Sequence, residues 1–580
     1  MRTQLKNKQA KLLKGVISIL VIFFSTSILN SQPSEDWANR YNGYDYNDKP
    51  RTMVMDSEGS LCITGSSEGK DGSKDILTVK YSSEGKEIWT ARYAGDANQD
   101  GSDDEANAIT VDNNGNFYVT GYTHGGVRGR DYCTIKYDPD GNEEWIRFYA
   151  GEGRIEDSDE EAVALTTDNN DNLIVTGYSN GRGGEYEYCT IKYNSKGEFV
   201  WQKTTDYITG KPTAVKTDID GNIVISGYRT EVRTGKDFCT VKYNSAGDQL
   251  WMQTYNGSGR NVVYNDDEVS SLIISPKGMI YVTGYSYGIG TGKDFVTIKY
   301  SVDGYEDWVS RVNYLSDVNI ESSDDEPKAA GFDLRGNYFI TGKTLSSANG
   351  GSDIMTVKLN SSGELQWIKT FDSPQFMNTE DAAEALAVDP SGNVIVTGYS
   401  GPVFFSSCGR GRFFCTIKYS SDGTEKWVKE YNGPLNFEMS DNSAKAVLTD
   451  SQGRIYVMGE SKSENADLDY CLVRYSELKK VITRNDLTSS NEENKYSLNE
   501  NFPNPFNPST KISFSIPATS NVKLGIYDVS GREVAILVNN VLKNGNYQYE
   551  WNAAQFASGT YFYRIQADGF NQTKKMLLIK

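Results

Sequence analysis

Eight cations recur at one position of this 580-residue chain: Lys80, Lys136, Lys192, Lys242, Lys299, Lys358, Lys418 and Arg474. Five residues before them stand Asp75, Asp131, Glu187, Asp237, Asp294, Asp353, Phe413 and Asp469. A ring of cations could bind an acidic polymer. Repetition in step with a carboxylate points instead to buried ion pairs between neighbouring repeat units, which fix geometry more than they stabilise. A second group is purely acidic: Asp103-Asp104-Glu105, Asp159-Glu160-Glu161, Asp266-Asp267-Glu268, Asp324-Asp325-Glu326 and Glu380-Asp381. Hard carboxylate oxygens suit Ca²⁺. Asp103, Asp104, Glu105, Asp159, Glu160, Asp266, Asp267, Asp324 and Asp325 are therefore the candidate metal ligands, against the plainer reading of a solvated acidic surface.

Other chemistries are thinner. His124 is the one histidine, so a Ser-His-Asp triad, a Cys-His pair or a His-rich zinc site would have to use it alone. Seven tryptophans recur in register, Trp89, Trp145, Trp201, Trp251, Trp308, Trp367 and Trp427. They could stack on sugars, but one repeat position filled seven times reads as wedges between units. Segments that break the pattern are better binding candidates, because function sits on loops held by a rigid scaffold. The most deviant is 398–414, with Phe404, Phe405, Cys408, Arg410 and Arg412; His124 to Arg130 is another. Phe404, Phe405, Arg410 and Arg412 are the candidate ligand contacts.

The elements that must position these residues are repeats. A stretch ending in Thr-Gly or a variant occurs eight times: 63–65, 119–121, 175–177, 225–227, 282–284, 340–342, 396–398 and 457–459. A Thr-Ile/Val-Lys-Tyr run follows each, then a Gly turn and the tryptophan, with a period of 50 to 60 residues. Each unit reads as four strands, for example 106–112, 116–122, 131–137 and 143–149, joined by Asp/Asn-Gly turns that favour hairpins. Four strands repeated eight times predict an all-β fold, a β-propeller of eight four-stranded blades. The eighth unit lacks its tryptophan strand, and DWANRYNG at 36–43 matches that missing piece. The N-terminal strand is thus expected to complete the last blade and close the ring, which removes open edges. Cys133, Cys189, Cys239, Cys415 and Cys471 share one repeat position. Equivalent positions on separate units lie too far apart to bridge, so buried, unpaired strand cysteines are expected.

These units resemble the SBBP family of bacterial β-propeller repeats, on the GNxYVTGY strand at 115–122, the Asp-aromatic-x-Thr-Ile/Val-Lys-Tyr strand and the Gly-x-x-x-Trp tail. The resemblance implies a propeller on an exported protein and no particular activity. Seven blades, which the family's name implies, is the alternative. The Gly-x-x-x-Trp tail is also similar to quinone-dependent propeller dehydrogenases, but their vicinal cysteine pair has no counterpart here.

The two ends read as addresses. Five cations precede an apolar run at 15–29, giving a secretory signal peptide at 1–31; the run is shorter than a membrane span, and no transmembrane segment is expected after its removal. The propeller is assigned to 32–478 and a polar linker to 479–495. Residues 496–580 read as a small Ig-like β-sandwich. NFPNPFNPST, IYDVSGREV and SGTYFYRI in this segment look like a type IX secretion sorting domain, type A. That resemblance implies export across both membranes of a Gram-negative bacterium through the type IX machinery, removal of the domain by a sortase, and cargo anchored at the surface or released.

There are 78 acidic and 59 basic residues, for a net charge of −19. That balance opposes a nucleic-acid partner or an anionic membrane. The expected protein is a secreted or surface-attached monomer that binds a glycan or a surface protein, with Ca²⁺ as the candidate cofactor. The competing class is an extracellular glycan lyase or hydrolase using paired carboxylates.

Overall fold

Asp/Asn-x-x-Gly tetrapeptides set the hairpins. In the turn after the strand at Glu105–Val111, Asp112 Oδ1 accepts the N–H groups of Asn114 and Asn116, at 2.9 Å each, and Gly115 takes φ near +81°. The Asp168, Asp218, Asp333, Asp389 and Asp450 turns repeat this arrangement. A side chain that accepts its own turn's N–H groups makes the reversal local. The computed structural model describes all residues except 1–31, 44–45, 71, 96–102, 125–128, 152–158, 182–183, 258–265, 315–322, 347–350, 375–378, 403–410, 435–440, 464–466, 478–495, 500, 502, 544 and 580.

The described residues form strands, and contacts divide the chain after Lys479 into two compact units. In the first unit each blade is an up-and-down meander whose first strand follows the preceding blade. Blade 1 runs Asp48–Met55, Leu61–Glu68, Lys74–Tyr81 and Glu87–Tyr93. Blades 2, 5, 6 and 7 begin at Glu105, Glu268, Asp325 and Ala382. Blades 3 and 4 depart from the expected separate sheets. The 19-residue strand Phe199–Thr217 is the outer strand of blade 3 and the inner strand of blade 4, which joins them in one seven-stranded sheet. The sequence between these blades has no cluster of adjacent acids, and the chain passes directly from one sheet to the next.

Blade 8 has Ser443–Thr449, Ile455–Lys462 and Leu468–Ser476 from the C-terminal end of the repeats. Its outer strand is Ser34–Tyr41, antiparallel to Leu468–Ser476 with Ala38 opposite Val473. Eight blades therefore close through the expected strand exchange.

The middle two strands of each blade are buried on both faces. This explains their near-continuous apolar runs. The Thr-Gly landmark has two causes. Its Thr forms a buried hydroxyl pair across to the third strand, as in Thr120–Thr134 at 2.9 Å. Its Gly faces a bulge in the first strand, where a Cβ on Gly121 would collide with the Glu105 carbonyl. Cys62, Cys133, Cys189, Cys239, Cys415 and Cys471 are buried and unpaired; Cys408 lies outside the described residues.

The second unit is a two-sheet sandwich. Ser497–Leu498, Ser509–Ile516 and Gly545–Asn552 form one sheet, and Ser520–Tyr527, Glu533–Leu542, Gly559–Ala567 and Phe570–Leu578 form the other. Ile512, Phe514, Val522, Leu524, Trp551, Tyr563 and Met576 pack between them.

A chain lacking residues 34–41 leaves the edge of Leu468–Ser476 bare. It is expected to melt at lower temperature and to self-associate, read by scanning calorimetry and light scattering, because an unpaired edge strand templates aggregation.

Candidate functional site

The meander gives the ring two unlike faces. One carries the tight turns between first and second strands and between third and fourth strands. The other carries the loops between second and third strands and the connections from blade to blade.

On the turn face the recurrent cation and tryptophan act together. Lys80 Nζ and Trp89 Nε1 both donate to the carbonyl oxygen of Pro139, in the next blade's turn, at 3.2 and 3.0 Å. Lys192 and Trp201 share the Ser245 oxygen, Lys242 and Trp251 that of Val302, and Lys358 and Trp367 that of Ser421. Lys136 reaches Ser195 O and Arg474 reaches Ser83 O. The tryptophan ring lies flat on the glycine of that same turn. A Cβ on Gly141, at φ +88°, would stand 2.6 Å from the Trp89 ring, so the turn needs glycine for its conformation and for this approach.

The ion pair of the cation is not the expected one. Lys80, Lys192, Lys242 and Lys418 pair with Asp56, Asp168, Asp218 and Asp389, turn aspartates of their own blades, at 2.8–3.1 Å. Lys136 pairs with Glu144 and Lys299 with Asp307 on the outer strand. Burial is the largest single influence on Asp168, Asp218 and Asp389 and raises them, but bonds from the turn asparagine, the lysine and the turn N–H groups together outweigh it and hold them below the ordinary carboxylate range. The acid five residues upstream points to the other end of the blade, because five residues along a strand span about 17 Å. There Asp75 and Asp294 pair with Arg92 and Arg311 at 2.6 and 2.7 Å, and Asp469 with Arg40 at 3.5 Å.

On the loop face each acid of a cluster has its own partner. The first caps the preceding blade: Asp103, Asp159, Asp266 and Asp324 accept the N–H of Lys74, Arg130, Lys236 and Lys293 at 3.0–3.1 Å. The second is buried. Asp104 accepts Gly95 N–H and Thr123 Oγ1, both at 2.6 Å. Glu160 accepts Ser179 Oγ, Asp267 accepts Gly257 N–H and Asp325 accepts Tyr314 N–H. The third is an ion pair to the preceding blade: Glu105 with Lys74, Glu161 with Arg130, Glu268 with Lys236 and Glu326 with Lys293. Several of these cations also cover a tyrosine ring, such as Arg130 over Tyr122 at 4.1 Å and Lys293 over Tyr285 at 4.2 Å. The candidate metal ligands thus sit at separate blade junctions. The described residues that bring three acidic groups within a metal's reach are others: Asp353, Asp372 and Asp381.

One loop-face cavity of about 250 Å³ spans blades 5, 6 and 7. Its polar lining is Glu268, Tyr285, Glu326, Lys328, Lys343, Glu384 and Tyr399. Glu326 is held low by Lys293 and Lys343 despite a larger opposing effect of burial, and Lys328 reaches Glu384 at 3.3 Å. Burial and Glu380 push the Tyr399 hydroxyl up to about 12, and burial with Glu268 pushes Tyr285 well above its ordinary value. Lysine-paired carboxylates and tyrosines held protonated suit hydrogen bonding to a ligand; a proton-transfer group would be poised near the working pH. A second cavity, of about 370 Å³, lies on the turn face between blades 7 and 8, lined by Lys418, Arg454, Asp389 and Glu477. It opens where blade 8 lacks a turn between its third and outer strands.

Of the deviant loop, Phe404, Phe405, Cys408 and Arg410 lie outside the described residues. Arg412 bonds Glu380 at 2.6 Å and stands over the Tyr399 ring at 4.6 Å, beside the loop-face cavity. Phe413 is buried. The sequence reading missed Lys328, Lys343, Glu384, Tyr285 and Tyr399. The available signal was Lys343, which breaks the recurring Tyr after Thr-Gly.

Three families match the chain. The secretion system C-terminal sorting domain matches residues 500–580, the β-propeller repeat family SBBP matches 88–126, and a family described as outer membrane protein assembly factor BamB matches 188–466. No curated protein matches. Among solved structures, PorZ, a surface component of the type IX secretion system of Porphyromonas gingivalis, is 13% identical with a TM-score of 0.36, over 91% of this chain and 65% of that one. The chain therefore spans just under two thirds of the PorZ chain. The WD40 domain of SCAP from fission yeast is 9% identical with a TM-score of 0.40, over 77% and 98%. A PL25 ulvan lyase is 10% identical with a TM-score of 0.35, over 68% and 95%. The chain is a repeat β-propeller with a type IX sorting domain, delivered outside a Gram-negative cell or to its surface by the type IX machinery. No helix among the described residues is long and apolar enough to cross a membrane.

Two predictions follow from the electrostatics. Lys192→Ala leaves Asp168 buried without its cation and the Ser245 carbonyl without that donor; it is expected to cost about 3–5 kcal/mol in urea unfolding. Burial pushes the Asp325 and Asp469 carboxyls up to about 6. A folded-state value above the unfolded one means proton uptake favours the fold. Stability should therefore rise as pH falls from about 7.5 to about 5, by about 1 kcal/mol for each group, measured by denaturant unfolding in chelator.

Proposed function

We propose that this secreted or surface-borne propeller is a binding module, and that its loop-face cavity between blades 5 and 7 takes a hydroxyl-rich glycan. The observation that carries the reading is the cavity's lining. Two tyrosines and two lysines stand among three carboxylates, each of them paired with a lysine, and Glu326 is held low by two. Such a surface offers donors and acceptors in alternation, which matches the hydrogen-bonding of a neutral or weakly acidic polysaccharide. Glu268 and Glu326 hold equivalent places in consecutive blades and each binds a lysine. A general acid would need a group set apart from the repeat, so the arrangement favours binding over lysis or hydrolysis. The sorting domain supplies delivery. Its removal by a sortase and the anchoring of the propeller at the surface belong to the same proposal.

The test is affinity electrophoresis of the full chain through gels containing native polysaccharides. A retarded band is expected with at least one polymer, with roughly tenfold weaker retardation for Tyr399→Ala combined with Lys343→Ala, since a few central contacts carry most affinity. Clearing of the embedded polymer would replace this reading with an enzyme. No retardation by any polymer would overturn the glycan assignment and leave a surface protein as the partner.

A further inference from the structure

The junction between blades 6 and 7 lacks a cation that three other junctions have. In blade 1, Arg92 donates to Asp75 at 2.6 Å, to the Ser67 carbonyl at 3.3 Å and to Ser67 Oγ. Arg311 does the same to Asp294 and Ser286 in blade 5, and Arg40 to Asp469 and Ser461 in blade 8. In each case the guanidinium fills a pocket between a third-strand carboxylate and a second-strand hydroxyl. Register gives the blade 6 equivalents. Asp353 is the carboxylate, Thr344 is the hydroxyl opposite it, and Thr370 stands where the arginines stand. The guanidinium is replaced by a residue that carries no charge and reaches no farther than its own Cγ.

Two more carboxylates enter the same place. Oxygens of Asp353, Asp372 and Asp381 all lie within 4.8 Å of one another. Oxygens bound to one Ca²⁺ at 2.3–2.6 Å are separated by at most about 5 Å. One hydroxyl at this junction, Ser373 Oγ on a residue 1% exposed, is buried without a hydrogen-bond partner, and Thr344, fully buried, lies between Asp325 and Asp353 in the sheet register. Thr344 Oγ1 occupies the position whose counterparts on Ser67, Ser286 and Ser461 face the guanidinium. Ser373 also gives its N–H to Asp381 at 2.8 Å. A buried polar atom left unpaired costs free energy, and an oxygen-seeking cation would satisfy Ser373 Oγ. Without a cation, burial and the neighbouring aspartates push the Asp353 carboxyl up to about 7, and burial pushes Asp381 up to about 6.

We propose that Asp353, Asp372 and Asp381, with Thr344 beside them, form a Ca²⁺ site that staples blade 6 to blade 7 in place of the missing guanidinium. The donors are oxygens only, which selects a hard cation, and the mix of carboxylate and hydroxyl at an irregular junction suits Ca²⁺ better than the strict octahedron of Mg²⁺. The site is separate from the loop-face cavity and does not depend on a glycan being bound there.

The test uses the full chain stripped with chelator and dialysed free of it. Isothermal titration with CaCl₂ is expected to show a saturable site whose filling raises the melting temperature. Asp353→Asn is expected to bind Ca²⁺ about tenfold or more weakly. Thr370→Arg restores the guanidinium of the other junctions. It is expected to melt above the chelated parent and to lose the Ca²⁺-dependent shift, which keeps the test decisive if Asp353→Asn does not fold. Absence of a Ca²⁺-dependent shift in the parent overturns the site. So does an unchanged Ca²⁺ response in Thr370→Arg, which would place the binding among other acidic groups of the chain.

Discussion

The spacing of the ring depends on a main-chain carbonyl oxygen that, after blades 1, 3, 4 and 6, serves two donors from the preceding blade at once. The turn between third and outer strands would otherwise leave that carbonyl to water. Here it receives an ammonium and an indole N–H at once, while the indole lies on the turn's glycine. The ammonium is anchored from behind by the first turn of its own blade. Each link therefore ties one blade's first turn and outer strand to the next blade's second turn, with the charge desolvated but paired. Such a link punishes removal of one partner far more than it rewards presence of both, so it sets the spacing and angle of blades rather than the bulk of stability. The core strands, apolar on both faces, supply that bulk.

The link also shows how the ring is closed. Between blades 7 and 8 there is no third-to-outer turn, because the outer strand comes from the other end of the chain. Lys418 Nζ and Trp427 Nε1 instead meet Glu477 Oε1, each at 2.8 Å. A side-chain carboxylate takes over from a main-chain carbonyl, and the same two donors are satisfied. At the other side of the closure, Arg474 and Trp37 face the turn at Ser83–Gly85 as any other blade would. The strand exchange keeps the cation's contact at the place where chain connectivity fails, while Trp37 Nε1 is buried there without a hydrogen-bond partner and a cavity opens on the same face between blades 7 and 8.

Dividing turns and loops between two faces separates structure from adaptation. The turn face repeats one cation and one indole around the ring, although Lys136 and Lys299 pair with outer-strand acids and the Trp37 and Trp145 indoles are buried without a hydrogen-bond partner. The loop face carries a capping acid, a buried acid and a paired acid at four junctions, and it varies where one of these is missing. Blade 6 has neither the arginine of blades 1, 5 and 8 nor the tyrosine after Thr-Gly, and both positions lie beside the cavity and the aspartate cluster. Variation concentrates there because the loop-face junctions are held by side chains, which can be exchanged one at a time.

The repeat landmarks were enough to assign eight blades, the exchanged N-terminal strand, the buried cysteines, the tryptophan wedges and the C-terminal sandwich, because each follows from local spacing: turns at fixed offsets, apolar runs of strand length, a unit split between two ends. Partners were not legible in the same way. Lys192 and Glu187 sit five residues apart in a repeat, but along an extended strand that interval separates them by most of a blade's height, and the ion pair is made to Asp168 across two strands. The acidic clusters read as one rim, whereas their oxygens are directed to three different neighbours. Asp353, Asp372 and Asp381 share no sequence pattern and meet only because an outer strand, a third strand and the next blade's entry converge at one junction. Sequence determined what each residue's strand and turn would be, since those depend on neighbours within a few positions. Which charges meet was decided by the tertiary structure alone, since it depends on the register between strands and on the angle at which one blade is set against the next.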